Sequence, residues 1–196
     1  MKKKNQKKKN KGFTLVELLA SLVILGLLTL VAAPNILGIL QSTKINTYID
    51  DAKKLATLGE YKFRGDTNIT KPTGSNCIVM TMKYLGTSEF KSAPNDGTYD
   101  ETKSYVVVQK SGNSYKYYVQ LVEVDEAKTK YTGIRTVEVK QLSTSNKTDY
   151  VGGGAVSELS EATAATTFFT DKNNTKICDG TIVKKYLEWF TMLCKW

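Results

Sequence analysis

One acidic residue, Glu17, interrupts an otherwise uncharged apolar run, and its position calls for a chemical explanation. The segment from Phe13 to Leu40 has 28 residues, of which Glu17 alone is charged. A charged side chain at the centre of a membrane span costs about 2.5 to 3.5 kcal/mol on insertion scales. Backbone N–H groups at a helix N-terminus offset part of that cost. A cation or a proton is needed for the remainder.

The residues just before the apolar segment contain the nearest cations. Residues 1–12 hold seven lysines and no acidic residue. A cut between Gly12 and Phe13 would place a new α-amino group at the start of the helix, where it can pair with Glu17 of a neighbouring copy. Such a pair would set the axial register of self-assembly. The alternative is an interfacial carboxylate of Glu17 that reaches the lipid headgroups.

The order of residue types at this junction resembles a known signal. A lysine-rich leader ends in Gly12 and is followed directly by Phe13-Thr14-Leu15-Val16-Glu17-Leu18-Leu19. This arrangement is similar to the class III signal and N-terminus of type IV pilins and related pseudopilins, over about residues 11 to 40. The resemblance implies cleavage after Gly12 by a prepilin peptidase, N-methylation of Phe13, and assembly into a helical filament with Glu17 as the assembly carboxylate. It also implies an α+β fold, in which a long N-terminal helix, kinked at Pro34, packs on an antiparallel β-sheet head.

The length of the apolar segment favours a membrane span, because about 20 helical residues cross a bilayer core. The lysine-rich flank predicts a cytoplasmic N-terminus, with the rest of the chain on the outer side. A cleavable secretory signal is the rival interpretation, since residues 31–33 (Val-Ala-Ala) resemble its cleavage site. Pro34 would follow that cut directly, and its rigid ring fits an extended protease substrate poorly.

Charge and composition weigh against several enzyme classes. The chain has 28 basic and 19 acidic residues, but without residues 1–12 the balance is 21 to 19, or +2. No histidine is present, which excludes Ser-His-Asp and Cys-His catalysis and mixed Cys/His zinc sites. We expect no catalytic residue, metal or cofactor, and we interpret the paired acids Asp50-Asp51 and Glu123, Asp125 and Glu126 as solvated surface charge. An enzyme anchored by an uncleaved helix remains the contrasting hypothesis.

Three cysteines allow one disulfide in an extracellular head. Cys178 and Cys194 are the pair we favour, because they bracket a C-terminal segment, while a bond between Cys77 and Cys178 is nearly as compatible with the sequence. Three buried thiols are the remaining alternative. In proteins that the N-terminus resembles, a C-terminal disulfide commonly bounds a surface loop.

Periodicity divides the chain into a leader (1–12), a membrane or filament-core half of a helix (13–40), an amphipathic half (41–63) and an extracellular head (64–196). Beyond Gln41, apolar residues recur at i, i+3, i+4 and i+7 and predict the face on which the head packs. Strands are predicted at residues 105–108, 115–124 and 133–142, joined by short turns. Residues 80–90 predict a small element, residues 143–155 a flexible connection, and residues 182–190 a short helix or packed loop.

Two functions follow from the resemblance. The first is a structural subunit of a type IV pilus-like surface filament, which starts as a single-pass protein of the cytoplasmic membrane. Its partners would be further copies of itself, membrane lipid before assembly, the prepilin peptidase and a membrane assembly platform. The alternative is a pseudopilin of a type II secretion or competence DNA-uptake system, and only this alternative would make DNA a partner.

Overall fold

The computed structural model describes residues 12–86, 90, 92–145, 150–159, 178 and 182–186. Contacts within the chain divide it into two units, Met1–Ser42 and Thr43–Trp196. A long N-terminal helix and a largely antiparallel sheet make up the described architecture, which confirms the α+β class that the sequence predicts.

Helix α1 spans Leu15–Gly65 as one element of 51 residues, close to the predicted range of 13–63. Lys62 and Arg64 lie in its last turn, where their charges interact favourably with the helix dipole. The helix passes through Pro34 without an assigned break, and the kink at that residue stays a prediction. Residues 82–85 form a second, short helix, α2, within the predicted small element.

Seven strands of the described part of the head form one sheet. Consecutive pairs from β3 to β6 are antiparallel, so the predicted meander is confirmed. The sheet order is β6-β5-β4-β3-β1-β7, and β2 pairs with β4. The strands are β1 (Cys77–Thr81), β2 (Thr98–Tyr99), β3 (Tyr105–Ser111), β4 (Ser114–Val124), β5 (Lys130–Glu138), β6 (Val151–Ala155) and β7 (Ile182–Tyr186).

The amphipathic face of α1 packs on one face of this sheet, as its spacing predicts. The buried apolar side chains of the helix are Tyr48, Ile49, Ala52, Leu55, Ala56 and Phe63. Gly59 marks the closest approach, because a Cβ built there would lie 2.9 Å from Cγ1 of Val106. Because Gly59 has no side chain, the backbone of the helix can contact the Val106 side chain of β3.

The second face of the sheet is buried at β1 and β3, whereas the sequence suggests a face open to solvent or to neighbouring subunits. Val79 and Val107 have no exposed surface, and Cys77, Tyr105 and Cys178 belong to the same buried cluster. Alternate residues of a strand point to opposite faces, so β1 and β3 contribute to two cores. This explains why both strands read as continuous apolar runs.

Three local predictions are wrong. The glycine-rich end of the predicted flexible connection is the edge strand β6, because Gly153 allows close contact with the Tyr131 carbonyl of β5. Residues 182–186 form a strand parallel to β1 rather than a helix. The third predicted strand ends at Glu138, and a 3-10 turn follows over Val139–Gln141.

The disulfide joins Cys77 to Cys178, with Cα atoms 6.0 Å apart. The preferred pairing of Cys178 with Cys194 is therefore wrong, since a cysteine forms one disulfide at a time; Cys194 lies outside the described residues. The physical reason lies in the tertiary structure. β7 pairs with β1 beginning at Cys77 and Ile182, so Ile182, which follows Cys178 closely in the chain, lies beside Cys77.

Candidate functional site at the N-terminus of helix α1

Thr14 and Glu17 form a reciprocal cap at the first turn of α1. The Thr14 backbone N–H and the Thr14 hydroxyl both donate to Oε2 of Glu17, each at 2.9 Å. In return, the Glu17 N–H donates to the Thr14 hydroxyl oxygen at 3.3 Å. This is the capping-box arrangement, in which a Thr and a Glu three residues apart satisfy donors that the helix leaves unpaired.

The hydrogen bonds of the cap offset part of the free-energy cost of placing the Glu17 carboxylate in an apolar segment. They come from the same chain as Glu17. Both contacts from Thr14 end on Oε2. A carboxylate has two oxygens with about four acceptor sites. Among the described residues, Oε1 accepts no hydrogen bond, and so the cap leaves one oxygen available for a further donor.

Gly12 and Phe13 precede the helix and are exposed. Phe13 is 88% exposed, and among the described residues beyond its chain neighbours no atom lies within 4 Å of a Cβ built on Gly12. A peptide bond in non-helical, uncovered backbone is accessible to a protease. The geometry is compatible with the predicted cut at this bond, which stays a prediction.

Apolar side chains of the first unit are exposed on all sides of the helix. Solvated apolar surface of this extent marks a binding or membrane-contact surface in a folded protein. The exposed side chains are Phe13, Leu15, Val16, Leu18, Leu19, Leu22, Val23, Ile24, Leu25, Leu27, Leu28, Leu30, Ile36, Leu37, Ile39 and Leu40.

Within the part of the chain that the structure describes, no helix has an apolar stretch of the length and hydropathy required to traverse a bilayer.

A second polar cluster, missed by the sequence interpretation, lies in the head. Glu123 is only 2% exposed and accepts hydrogen bonds from the Tyr48 hydroxyl, the Asn95 N–H and the Gly97 N–H. Burial and the adjacent carboxylate raise the pKa of the Tyr48 hydroxyl above its usual value. The cluster joins α1, the loop before β2 and β4. The interpretation of Glu123 as solvated surface charge is therefore wrong.

Asp51 is likewise buried rather than solvated, with 7% of its surface exposed. Its carboxylate accepts a hydrogen bond from the Tyr99 hydroxyl at 2.8 Å and pairs with Lys54 at 2.9 Å. Burial and the Asp51 carboxylate raise the pKa of Tyr99. Asp51 and Glu123 thus both fasten α1 to the sheet.

The described residues contain no group of three or more His, Cys, Asp and Glu side chains with the arrangement of a metal site. The signal that sequence reasoning missed at the N-terminus is the Thr-x-x-Glu spacing of Thr14 and Glu17, which is readable without a structure. The buried role of Glu123 has no such signal, because its partners lie 26 to 75 residues away in the chain.

Residues 7–33 match the family model described as the prokaryotic N-terminal methylation motif. That range includes Gly12, Phe13, Thr14 and Glu17. Comparisons with curated proteins and with solved structures found no significant match.

Proposed function

We propose that the chain is a structural subunit of a pilus-like surface filament, because its N-terminal methylation motif supports membership of the type IV pilin and pseudopilin family. A prepilin peptidase cuts between Gly12 and Phe13, and the new terminus at Phe13 is N-methylated. The apolar halves of many copies then pack together as the core of a helical filament. The observation that carries the proposal is the motif at residues 7–33.

The exposed apolar surface of the first unit supports self-association. At roughly 25 cal/mol per Å² of buried apolar area, covering such a helix provides a large driving force. Before assembly, the same surface would be covered by membrane lipid, and the lysine-rich leader would remain in the cytoplasm. We propose that residues 13–40 hold the chain in the cytoplasmic membrane and that a membrane assembly platform transfers it to the filament.

Glu17 is proposed to set the register of the packed helices. In the isolated chain its Oε2 is held by Thr14. The α-amino group of a neighbouring Phe13 can bind at Oε1 while the cap remains in place. A charge-assisted hydrogen bond in an apolar core is stronger than a neutral one, and a misregistered copy would leave the carboxylate unpaired.

A second candidate function is a pseudopilin of a type II secretion or competence DNA-uptake system. The same N-terminal motif supports it equally, because processing and helix packing are shared. Imaging distinguishes the two. Long filaments labelled by an antibody to the head support a pilus, whereas short fibres confined to the cell envelope support the alternative. The matched family is a structural one and not an enzyme family.

Processing is tested by replacing Gly12 with a bulky residue. We expect Gly12→Leu to block leader removal, and intact-mass measurement would then find residues 1–12 retained. Gly26→Ala is the matched control, since a Cβ at Gly26 also meets no atom within 4 Å. A Gly12→Leu chain that is cut normally, or an assembled wild-type subunit that keeps its leader, would contradict the proposal.

A further inference from the structure

Strand β4 separates two turns of the head whose charges have opposite signs. The strand spans Ser114–Val124, and the β3–β4 turn precedes it while the β4–β5 turn follows it. At about 3.4 Å per residue, its two ends lie roughly 34 Å apart. This separation is several times the Debye length of about 8 Å at physiological ionic strength. The charges at the two ends therefore do not neutralise each other within one chain.

The end of the head at which β4 begins is positively charged. The last turns of α1 also lie here, because the Phe63 ring contacts the Tyr115 ring at 4.8 Å between centroids. Residues 60–76 and 108–117, which we call the basic end, contain five basic and two acidic residues, a net charge of +3. Both acids form ion pairs with cations of α1. Among the described residues, no carboxylate lies within ion-pair distance of three cations of this end, which are Lys71, Lys110 and Lys116.

The end of the head at which β4 finishes is negatively charged. β2 pairs with the last residues of β4, which brings the loops around β2 beside the β4–β5 turn. Residues 95–103 and 123–130, which we call the acidic end, contain six acidic and three basic residues, a net charge of −3. The neighbouring residues 44–54 of α1 add +1, so the sign persists. Three exposed acids of this end have no cation within ion-pair distance in the described part of the chain, and they are Asp96, Glu101 and Glu126.

A cleft of about 290 Å³ at the acidic end exposes one of these carboxylates. Its charged lining consists of Asp100, Glu101, Lys103 and Lys128. Asp100 is already bonded within its own loop, since its Oδ1 accepts hydrogen bonds from the N–H groups of Thr102 and Lys103. Glu101 accepts no side-chain hydrogen bond from the described residues. Its carboxylate is therefore available to a cation that enters from another molecule.

We propose that the basic end of one head contacts the acidic end of the head of a second copy, within the proposed filament on which this inference rests. The two surfaces are different, so the contact is heterologous, and each added copy leaves one end of the row open for another. A self-complementary contact would instead close after two copies. Opposite charges select this orientation, because like charges brought together at an interface are costly. The apolar helix supplies most of the affinity.

Charge reversal at each end, followed by co-expression of the two reversed chains, tests this contact. Lys110→Glu/Lys116→Glu makes both ends of the head acidic, and Glu101→Lys/Glu126→Lys makes both ends basic. We expect each variant alone to yield at least about fivefold fewer sheared filaments per membrane-inserted chain, because like charges then meet.

Co-expression of the two variants should restore the wild-type yield to within about twofold, since unlike ends meet again where the two chains alternate. The chain that carries all four substitutions has the net charge of the wild type with its ends exchanged, and it should also assemble. The control Lys44→Glu/Lys53→Glu changes the net charge as much as Lys110→Glu/Lys116→Glu does, at exposed positions of α1, and we expect it to assemble normally.

An unchanged yield from either reversed variant would overturn the proposed contact, as would a co-expressed pair that assembles no better than its members. An equal loss in the control would overturn it too. Thermal melting of each processed chain in detergent separates lost contact from lost folding. A reversed chain that does not fold is replaced by its Gln counterpart, for which we expect about twofold fewer filaments.

The wild type reports separately on the proposed function. If it removes no leader and forms no filaments, both proposals fail. If it forms filaments and the reversed variants do so equally well, only the contact between heads is refuted.

Discussion

Thr14 and Glu17 are joined twice through one carboxylate oxygen, since the N–H and the hydroxyl of Thr14 both donate to Glu17 Oε2 at 2.9 Å. The carboxylate therefore has two separable roles. It caps its own helix through Oε2, and in the proposed filament it receives a neighbour's amine at Oε1. Variants at the two positions distinguish these roles.

Glu17→Ala removes both roles, whereas Thr14→Val removes only the hydroxyl part of the cap. We expect Glu17→Ala to insert in the membrane at least as well as the wild type but to yield at least about tenfold fewer filaments, because an amine pair in an apolar core is lost. Thr14→Val weakens the cap by about 1 kcal/mol and should assemble much better. Sheared filaments are quantified relative to membrane-inserted chain. Normal polymerisation of Glu17→Ala would refute the pairing role.

Gly59→Ala tests the close approach of α1 and β3. The added Cβ would lie 2.9 Å from Cγ1 of Val106, and we expect a loss of about 1 to 3 kcal/mol in the free energy of unfolding. Val106→Ala combined with Gly59→Ala should recover part of that loss. Gly65→Ala is the control, since a Cβ there meets no atom within 4 Å. Chemical denaturation of the wild type and the three variants would measure the effect, and a neutral Gly59→Ala would contradict the packing described.

The Cys77–Cys178 disulfide closes a sequence separation of 101 residues. We expect Cys77→Ala/Cys178→Ala to lower the stability of the head by about 2 to 5 kcal/mol, because the unfolded chain regains freedom. Cys194→Ser should preserve the bond. Peptide mapping under non-reducing conditions identifies the pair, and a fragment linking Cys178 to Cys194 would overturn the assignment.

Asp125 makes the stability of the β4–β5 turn depend on acid pH. The backbone N–H of Lys130 chiefly, with the hydroxyl and N–H of Thr129, holds the pKa of its carboxyl below the usual value. The carboxyl of Asp125 has a lower pKa in the folded state than in the unfolded state, where it is about 3.9, so its ionised form stabilises the fold above about pH 3.9. This stabilisation is lost as the pH falls through the folded-state pKa.

Asp125→Asn should therefore lower the melting temperature at neutral pH and lose less stability than the wild type below about pH 4. Melting curves across this pH range give the comparison. Glu126→Gln, at the exposed neighbouring position, is the control that should keep the acid dependence of the wild type. Parallel pH profiles for Asp125→Asn and the wild type would show that the turn contacts do not form.

The order of residue types between Gly12 and Glu17 carried the family assignment without any structure. That information is local, because a protease site is read within a few consecutive residues. The capping box of Thr14 and Glu17 is equally local, although the sequence interpretation missed it. The helix and the meander were predicted for a similar reason: periodicity reports which faces are buried. The strand at residues 182–186 lacked such a signal, since a short apolar run reads equally as strand or helix.

Only the tertiary structure decided which distant residues meet. It paired Cys77 with Cys178, because β7 adds to the edge of the sheet beside β1. It also buried Glu123 beneath Tyr48, although the acid lies among charges that look like surface residues. In both cases the partners are far apart in the chain, so their contact depends on strand order, which one-dimensional patterns of polarity do not encode.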